Sequence, residues 1–173
     1  VGHIGTLDPF ASGVLPVAIG EATKTIEYLD NFKKTYIAEV KWGYKTDTLD
    51  GTGRVIEESA RIPSAAEILN VLDEFIGEIS QSPPKFSANK INGVRAYKLA
   101  RLDRDFETKP KKVKCYDLKL INHDEKKGLS AFEITCGRGF YIRSLGDDIA
   151  KNVGALATVV SLRRTRDGIF FEK

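Results

Sequence analysis

The sequence contains few of the residues that mark specialised classes of protein. Its 173 residues include two cysteines, two histidines, one tryptophan and no methionine. Two cysteines without a Cys-x-x-Cys pair, with only two histidines to assist them, argue against a metal site. We therefore predict reduced thiols at Cys115 and Cys136, the latter buried, and no bound metal. No apolar run approaches the roughly 20 residues of a membrane helix, and we expect a cytoplasmic protein without a membrane partner.

Charge of one sign is also scarce. The net charge is only +3, too small to indicate nucleic-acid binding by itself, so any RNA site has to come from local basic segments. The sequence lacks a phosphate-binding Gly-x-x-x-x-Gly-Lys loop, a dinucleotide fingerprint and a His-Glu-x-x-His pair, and we predict no cofactor. The sequence is 42% hydrophobic and 29% charged, a composition typical of one globular domain.

Hydrophobic patterning predicts an α+β protein with a mostly antiparallel sheet. Strand-like runs predominate and do not alternate regularly with helices. Ser64 and Glu67 form a capping box in front of apolar positions at helical spacing, which Gly77 closes. The predicted strands cover 36–42, 113–121 and 129–136, the last two as an antiparallel pair, and the predicted helices cover 21–29, 64–76 and 142–153.

The most informative stretch is the glycine-rich run Gly2-His3-Ile4-Gly5-Thr6-Leu7-Asp8-Pro9, which continues to Val17. It carries one carboxylate, Asp8, with no acidic neighbour in the motif. Pro9 biases Asp8 away from helical torsions and toward extended backbone, so the loop geometry holds its side chain. A plain turn is the alternative, because Asp-Pro commonly starts one, and the dipeptide alone favours the turn.

The longer run over residues 2–24 resembles the catalytic motif of the bacterial tRNA pseudouridine-55 synthases, the TruB family, and residues 83–101 and 137–145 carry further matches. The resemblance implies a pseudouridine synthase core, with a mixed, mostly antiparallel sheet, flanking helices and an active-site cleft across the sheet. It also implies an isomerase that flips the T-loop uridine of tRNA out of its stack and converts it to pseudouridine. By motif, Asp8 is the catalytic nucleophile.

Arg143 and Tyr36 complete the catalytic set that the resemblance implies. Arg143 matches the family's Tyr-Ile-Arg motif, and its planar guanidinium suits a bidentate contact that keeps Asp8 ionised. From the residues alone it is a surface arginine at a helix start, where its charge opposes the helix dipole. Tyr36 matches the family's tyrosine after a basic pair and would stack on the target uracil. On sequence alone, an aromatic residue on a strand indicates core packing.

Three more residues are assigned to substrate binding by the same resemblance. Leu162 would pack against the flipped base, Tyr141 would form part of the pocket wall, and His3 would position the substrate without transferring a proton. Without the resemblance, Leu162 would be assigned to the core and His3 to a turn. Residues 46–51 also resemble a family loop near the substrate, although an Asx-type turn explains them nearly as well.

Basic residues concentrate in three segments. Residues 82–108 match the family's RNA-gripping thumb, in which Lys85, Lys90 and Arg95 are assigned to substrate binding, and Asp103 stands where the family commonly has glycine. The other two segments are a lysine cluster and an arginine cluster, made of Lys109, Lys111, Lys112 and Lys114 and of Arg163, Arg164 and Arg166. Three such segments in a nearly neutral protein predict a surface that follows phosphates, although one charge run alone is more often a solvated face.

The start at Val1 and the absence of methionine predict a catalytic domain, residues 1–173, that is shortened at both ends. The family carries a further N-terminal segment and a C-terminal RNA-binding domain. Because the motif and the thumb follow the bacterial form, we expect a monomer that binds the tRNA T-loop stem-loop without a guide RNA. Two other classes stay open. One is an RNA-binding and tRNA-folding module without isomerase activity, and the other is a hydrolase such as a glycosidase, which needs two cooperating carboxylates.

Overall fold

The computed structural model of the protein describes residues 1–29, 32–91, 93–102 and 106–173. The strands are, in chain order, β1 (Gly2–His3), β2 (Ser12–Gly13), β3 (Val17–Ala18), β4 (Lys34–Trp42), β5 (Tyr44–Thr46), β6 (Val55–Glu58), β7 (Gly77–Gln81), β8 (Lys90–Ile91), β9 (Val94–Arg95), β10 (Lys111–Asp124), β11 (Leu129–Cys136), β12 (Ala157–Asp167) and β13 (Phe170–Phe171). The helices are α1 (Ile26–Leu29), α2 (Ala65–Leu72), α3 (Ala96–Arg101) and α4 (Ile142–Asn152), with 3₁₀ segments at Gly20–Thr25 and Asp73–Phe75. Within these ranges, none of the helices has the length and apolar character needed to cross a membrane.

A mixed, seven-stranded sheet organises the chain. Its strand order is β13-β12-β4-β11-β10-β7, and β2 joins it in parallel beside β12. The other pairings in this sheet are antiparallel, which confirms the predicted α+β fold with a mostly antiparallel mixed sheet. The pairs β1–β3, β5–β6 and β8–β9 form small separate ribbons.

Strand β4 lies in the middle of the sheet because its alternate side chains are buried. Every second residue from Lys34 to Trp42 is buried, which is the period of two that the sequence predicted over 36–42. Trp42 is 2% exposed, and its indole N–H donates to Ser130 Oγ on β11 at 2.7 Å. The apolar core lies between this face of the sheet and helices α2 and α4.

Helix α4 carries the arginine predicted for the site and packs closely on the sheet. Its apolar positions, among them Leu145 and Ile149, are buried as the helical spacing predicted. Gly146 faces β12, where an added Cβ would lie 3.1 Å from Val159 Cγ2, so a larger residue would require a small shift of that side chain. The helix that carries Arg143 therefore packs directly on β12 at this point.

The capping box of α2 is confirmed, but the helix is shorter than predicted. Glu67 N–H donates to Ser64 Oγ at 3.3 Å, and Ser64 N–H donates to the Glu67 carboxylate at 2.8 Å. The Ser64 backbone hydrogen bond, followed by Arg61, lowers the pKa of Glu67 to about 2. The helix ends at Leu72 and a 3₁₀ segment follows, because the chain turns at Gly77, with φ of 102°, to begin β7.

Two more predictions can be compared with the observed bounds of the helices and strands. The helix predicted over 21–29 is a 3₁₀ segment followed by the single turn α1, and strand β7 was not predicted. The pair predicted at 113–121 and 129–136 is confirmed as β10 and β11, with β10 longer at both ends.

Both cysteines are free and buried, as predicted for Cys136. They lie opposite each other in the register of β10 and β11. Burial raises the pKa of both thiols, that of Cys115 to about 11. The two residues therefore act as small apolar groups in the core.

Candidate active site

A cavity of about 400 Å³ opens where the Asp8 loop, the start of β4 and the loop between β11 and α4 meet. Five of the predicted site residues line it: His3, Asp8, Tyr36, Tyr141 and Leu162. They come from four separate segments, so the fold brings them together. Residues that line the cavity without having been assigned from the sequence include Lys34, Ser87, Arg138 and Phe140.

The Asp8 loop satisfies both interpretations of its Asp-Pro pair. The Asp8 carbonyl accepts a hydrogen bond from Ala11 N–H at 2.9 Å, which closes a turn around Pro9. The Asp8 side chain is 30% exposed and lines the cavity. The residue therefore forms the turn with its backbone and presents its carboxylate to the cavity.

Arg143 holds Asp8 by two parallel hydrogen bonds. Arg143 Nε donates to Asp8 Oδ2 at 2.9 Å, and Nη2 donates to Oδ1 at 3.0 Å. The Arg143 side chain is only 4% exposed, so the pair is screened little by solvent. A bidentate arginine contact fixes the plane of a carboxylate. Asp8 is thereby presented as an oriented anion at the wall of the cavity.

A second carboxylate, Asp50, supports the same arginine. Asp50 Oδ2 lies 3.3 Å from Arg143 Nη1, and the Asp50 side chain is 7% exposed. Its other oxygen accepts from Thr52 N–H at 3.0 Å and from the Thr48 hydroxyl at 2.9 Å. One carboxylate thus makes the Asx-type turn and also an ion pair with Arg143. Two anions around one buried guanidinium offset the cost of a positive charge at the start of α4.

The backbone of this loop is strained beside Arg143. Leu49 has φ of 62°, a conformation that a branched residue other than glycine rarely adopts. Hydrogen bonds to β12 hold it there, since Val159 N–H donates to the Leu49 carbonyl at 3.2 Å and Gly51 N–H to the Val159 carbonyl at 3.0 Å. The strain turns the Thr48 carbonyl toward Arg143, which donates to it through Nη1 at 2.9 Å. Such strain clusters at functional sites.

The first residues of the thumb segment contact the same region. Arg143 Nη2 donates to the Phe86 carbonyl at 3.0 Å, and Ser144 Oγ donates to the Ser82 carbonyl at 2.7 Å. Gln81, 1% exposed, pairs its side-chain amide with the backbone of Tyr141, accepting from its N–H at 2.8 Å and donating to its carbonyl at 3.0 Å. The base of the thumb is therefore hydrogen-bonded directly to the start of α4.

Two tyrosines and one leucine contribute to the apolar part of the cavity wall. Tyr36 is 7% exposed, and burial raises its pKa to about 12. Burial also raises the pKa of Tyr141, and the nearby Asp8 carboxylate acts in the same direction. Leu162 is 5% exposed and belongs to the core as well as to the cavity. Both phenols are neutral at pH 7 and can stack on or donate to a base.

His3 lies at the mouth of the cavity. It sits on β1 opposite Val17, where Ile4 N–H donates to the Pro16 carbonyl at 3.0 Å. The histidine side chain is exposed. This position fits contact with a bound substrate at the rim.

The three thumb residues assigned to RNA are exposed, and none of them lines the cavity that contains Asp8. Lys85 lines a neighbouring cavity of about 680 Å³. Lys90 and Arg95 are register partners across the β8–β9 hairpin, and Arg95 Nη1 donates to the Ala88 carbonyl at 2.5 Å. Asn92 and residues 103–105, with the predicted departure at Asp103, lie outside the described residues.

The prediction for the arginine cluster is wrong, because β12 turns these residues to opposite faces. Arg164 is 0% exposed and cannot reach a phosphate. Arg163 pairs with Glu172 at 2.6 Å between Nη2 and Oε2, and Arg166 Nε donates to the Gly168 carbonyl at 2.7 Å. The alternation of a strand therefore divides a run that looked like one basic patch.

The lysine cluster is partly engaged in intramolecular contacts. Lys111 Nζ donates to Asn89 Oδ1 in the thumb at 2.6 Å. Lys112 pairs with Glu78 on β7 at 2.9 Å, where both side chains are well exposed. Exposed pairs of this kind contribute little to stability, so they leave Lys112 able to exchange its partner.

Several contributors to the site were not assigned a role from the sequence. Asp50 lies in segment 46–51, which resembles a family loop near the substrate. Its ion pair with Arg143 joins residues far apart in the chain, so it can be seen only in the folded structure. Gln81 and the Phe86 carbonyl have no distinguishing sequence signal. Within the described residues, no group of three or more His, Cys, Asp or Glu side chains is arranged to hold a metal ion.

Known proteins resemble this chain along its whole length. A family model described as "TruB family pseudouridylate synthase (N terminal domain)" matches residues 1–142. A protein named tRNA pseudouridine synthase B from Rickettsia felis (strain ATCC VR-1525 / URRWXCal2) is 51% identical over 173 residues, which are 100% of this chain and 51% of that protein. A protein of the same name from Rickettsia bellii (strain OSU 85-389) is 49% identical over 173 residues, or 59% of its length. The chain thus spans between half and three-fifths of these relatives.

Solved structures show the same fold. A chain in the crystal structure of a Cbf5-Nop10-Gar1 complex superposes with a TM-score of 0.73 and 31% identity, over 99% of this chain and 41% of that one. A chain in the structure of an H/ACA RNP bound to a substrate RNA containing 2′-deoxyuridine gives a TM-score of 0.69 and 28% identity, over 99% of this chain and 40% of that one.

Proposed function

The chain belongs to the TruB family of pseudouridylate synthases, and from this premise we propose that it isomerises a uridine in the T-loop of tRNA to pseudouridine. The observation that supports this function best is the Asp8 carboxylate. The Asp8 carboxylate lines a cavity of about 400 Å³, a size suited to a small ligand or a flipped base. Arg143 donates a hydrogen bond to each of the two carboxylate oxygens. The relatives named tRNA pseudouridine synthase B support a tRNA substrate, and the T-loop uridine is the further step that we propose.

The reaction breaks the bond between ribose C1′ and uracil N1 and forms a bond between C1′ and C5. Asp8 is the nucleophile and attacks either C1′ or the pyrimidine ring. The detached base turns within the cavity, N1 gains a proton, and C5 loses its proton after the new bond has formed. No electrons are transferred to another molecule, and no outside group is consumed, so the reaction requires no cofactor.

The cavity wall accounts for the remaining parts of the reaction. Tyr36 stacks on the uracil and presents a neutral phenol to the ring, because its pKa of about 12 keeps the proton in place. Leu162 packs against the flipped base, Tyr141 closes the wall beside Asp8, and His3 positions the substrate at the rim. Extruding a base from a stacked loop costs a few kcal/mol, which contacts from the thumb with the RNA backbone would offset.

The substrate proposed is a tRNA T-loop stem-loop, bound by a monomer without a guide RNA in the cytoplasm. The motif continuation from Gly13 to Val17 and the thumb segment support the guide-independent form.

The product distinguishes the proposed function from its alternatives. The chain is incubated with a T-loop stem-loop RNA, the RNA is digested to nucleosides, and the nucleosides are separated by chromatography. We expect pseudouridine in place of the target uridine and no free uracil. Free uracil would indicate a hydrolase, and unchanged uridine on RNA that is bound would indicate a binding module. A T-loop RNA with cytidine at the target position is the matched control.

Removing one thumb cation should weaken RNA binding without changing the chemistry. Lys90 is exposed on the β8–β9 hairpin, so Lys90→Ala should raise the Kd for T-loop RNA several-fold and leave kcat within about twofold. If Lys90 contacts one phosphate, the plot of log Kd against log salt should become shallower by about 1 unit or slightly less. Fluorescence anisotropy at several salt concentrations measures both quantities.

The control for this variant is Lys126→Ala, which removes an exposed lysine from the β10–β11 turn. It has the same charge change and lies in the turn of a different hairpin, outside the thumb segment, so its Kd and salt slope should equal those of the wild type. Equal salt slopes for Lys90→Ala and the wild type would contradict the role proposed for the thumb.

A further inference from the structure

A second buried arginine lies beneath the Asp8 loop. Arg164, on β12, is 0% exposed, and its guanidinium donates to three backbone carbonyls of the loop. Nε donates to Val14 at 2.7 Å, Nη1 to Thr6 at 3.3 Å and Nη2 to Gly5 at 3.5 Å. Carbonyls on both sides of Asp8 thus share one donor group. An arginine suits this task because its rigid fork carries five N–H groups in one plane.

The backbone of Arg164 holds the same loop. Val14 N–H donates to the Arg164 carbonyl at 2.8 Å, so Val14 is bound by both the backbone and the side chain of one residue. Gly13 pairs with Arg164 where β2 runs parallel to β12. A Cβ added at Gly13 would lie 2.2 Å from the Arg164 carbonyl oxygen, so only glycine permits this approach.

An aspartate balances the charge of Arg164. Asp167 is 1% exposed and lies 3.5 Å from Arg164 Nη1 through Oδ2 and 3.2 Å from Lys34 Nζ through Oδ1. The Lys34 side chain is 7% exposed and reaches the wall of the cavity. Burying three charged groups is costly, and packed apolar residues of similar size would commonly be as stable or more so. Stability alone therefore does not explain this network.

Arg164 also contacts the tyrosine of the site. It is the register partner of Tyr36 on β4, and its nearby positive charge opposes the rise in the pKa of the Tyr36 phenol that burial causes. Arg164 thus contacts the loop that carries Asp8 and pairs with the strand residue Tyr36, and both Asp8 and Tyr36 line the cavity.

We propose that Arg164 is a positioning residue for the isomerase, which sets the distance between the Asp8 carboxylate and the Tyr36 ring through the loop carbonyls. This inference rests on the proposed function. Arg164 itself lies under the floor of the cavity and does not touch the substrate. A displacement of about 1 Å in a catalytic group can reduce a rate about 10²-fold, which is the effect that loosening this support should have.

The test compares Arg164→Lys with Arg163→Lys. The two arginines are neighbours on β12, but Arg163 is exposed and pairs with Glu172 at the surface. Single-turnover kinetics and equilibrium binding are measured with the same T-loop RNA. In Arg164→Lys we expect the single-turnover rate constant to fall about 100-fold, while the Kd for RNA stays within about threefold. In Arg163→Lys both values should stay within twofold of the wild type. If Arg164→Lys retains kcat within threefold, or loses RNA affinity in parallel with kcat, the inference is wrong.

Hydrogen exchange tests the positioning separately from activity. In Arg164→Lys, amides of residues 4–14 should exchange at least tenfold faster, while amides of β10 and β11 keep their wild-type rates. Uniformly faster exchange over the sheet would show a merely structural role and overturn the inference. If Arg164→Lys does not fold, Arg164→Gln, with two side-chain N–H groups in place of five, is measured in the same way. Failure of the wild-type chain to form pseudouridine would refute the proposed function and leave this exchange result interpretable.

Discussion

Asp8→Asn should abolish pseudouridine formation, lowering the rate by at least about 10⁴-fold, while the Kd for RNA stays within several-fold. The amide has almost the same shape as the carboxylate but is not a nucleophile, and loss of a nucleophile typically costs several orders of magnitude. Its NH₂ group would also face the Arg143 guanidinium, which offers only donors at Nε and Nη2. Rates come from pseudouridine yield under single-turnover conditions, and Kd values come from anisotropy.

The control for this variant is Asp47→Asn. Asp47 belongs to the loop after β5, accepts from Arg54 N–H at 2.9 Å and lines the neighbouring cavity, so it tests the loss of a nearby carboxylate outside the proposed chemistry. Its rate should stay within about threefold of the wild type. Turnover in Asp8→Asn comparable with that in Asp47→Asn would show that Asp8 is not the nucleophile.

Arg143→Lys should lower kcat by about 10²- to 10³-fold. Lysine keeps the positive charge but loses the planar fork, so it cannot bind both oxygens of Asp8 and also donate to the Thr48 and Phe86 carbonyls. An anion that is no longer fixed in one plane attacks less often from a productive geometry. RNA affinity should change little, because the Arg143 side chain is 4% exposed.

Arg143→Ala adds a stability readout to the same residue. Removing the guanidinium leaves the 7% exposed carboxylate of Asp50 without that cation, and breaking a buried pair by removing one partner costs about 3–5 kcal/mol in free energy of unfolding. Arg61→Lys is the control matched to Arg143→Lys, because the Arg61 side chain is 43% exposed, pairs with Glu67 and does not line the cavity. Urea unfolding and kcat are measured for all three variants. A wild-type kcat in Arg143→Lys would contradict the role of the bidentate contact.

The sequence predicted the parts of the fold that depend on local pattern. The alternation in β4, the capping box at Ser64 and the helical spacing in α4 each needed only neighbouring residues. The resemblance of residues 2–24 and 137–145 to one family also indicated that Asp8 and Arg143 would meet, a contact between residues far apart in the chain. Spacing alone does not give this contact, because nothing local links the two segments.

The sequence was less informative where a residue's role depends on tertiary partners. Asp50 belonged to a turn-forming segment, and only the fold shows that its second oxygen faces Arg143. Arg164 was grouped with its basic neighbours, although it lies two residues after Leu162 on a strand and therefore shares the buried face of that leucine. The two-residue alternation of a strand, continued from Leu162, predicts that the Arg164 side chain is buried.

The most direct test of the account is tritium release from a T-loop stem-loop RNA labelled at uridine C5, measured under single-turnover conditions for the wild-type chain and Asp8→Asn. Isomerisation releases the hydrogen of uridine C5 when the new C1′–C5 bond has formed, whereas binding alone leaves that hydrogen in place. We predict release by the wild type, in step with pseudouridine formation, and none by Asp8→Asn. Release by Asp8→Asn at the wild-type rate, or no release by the wild type from RNA that it binds, would contradict the account.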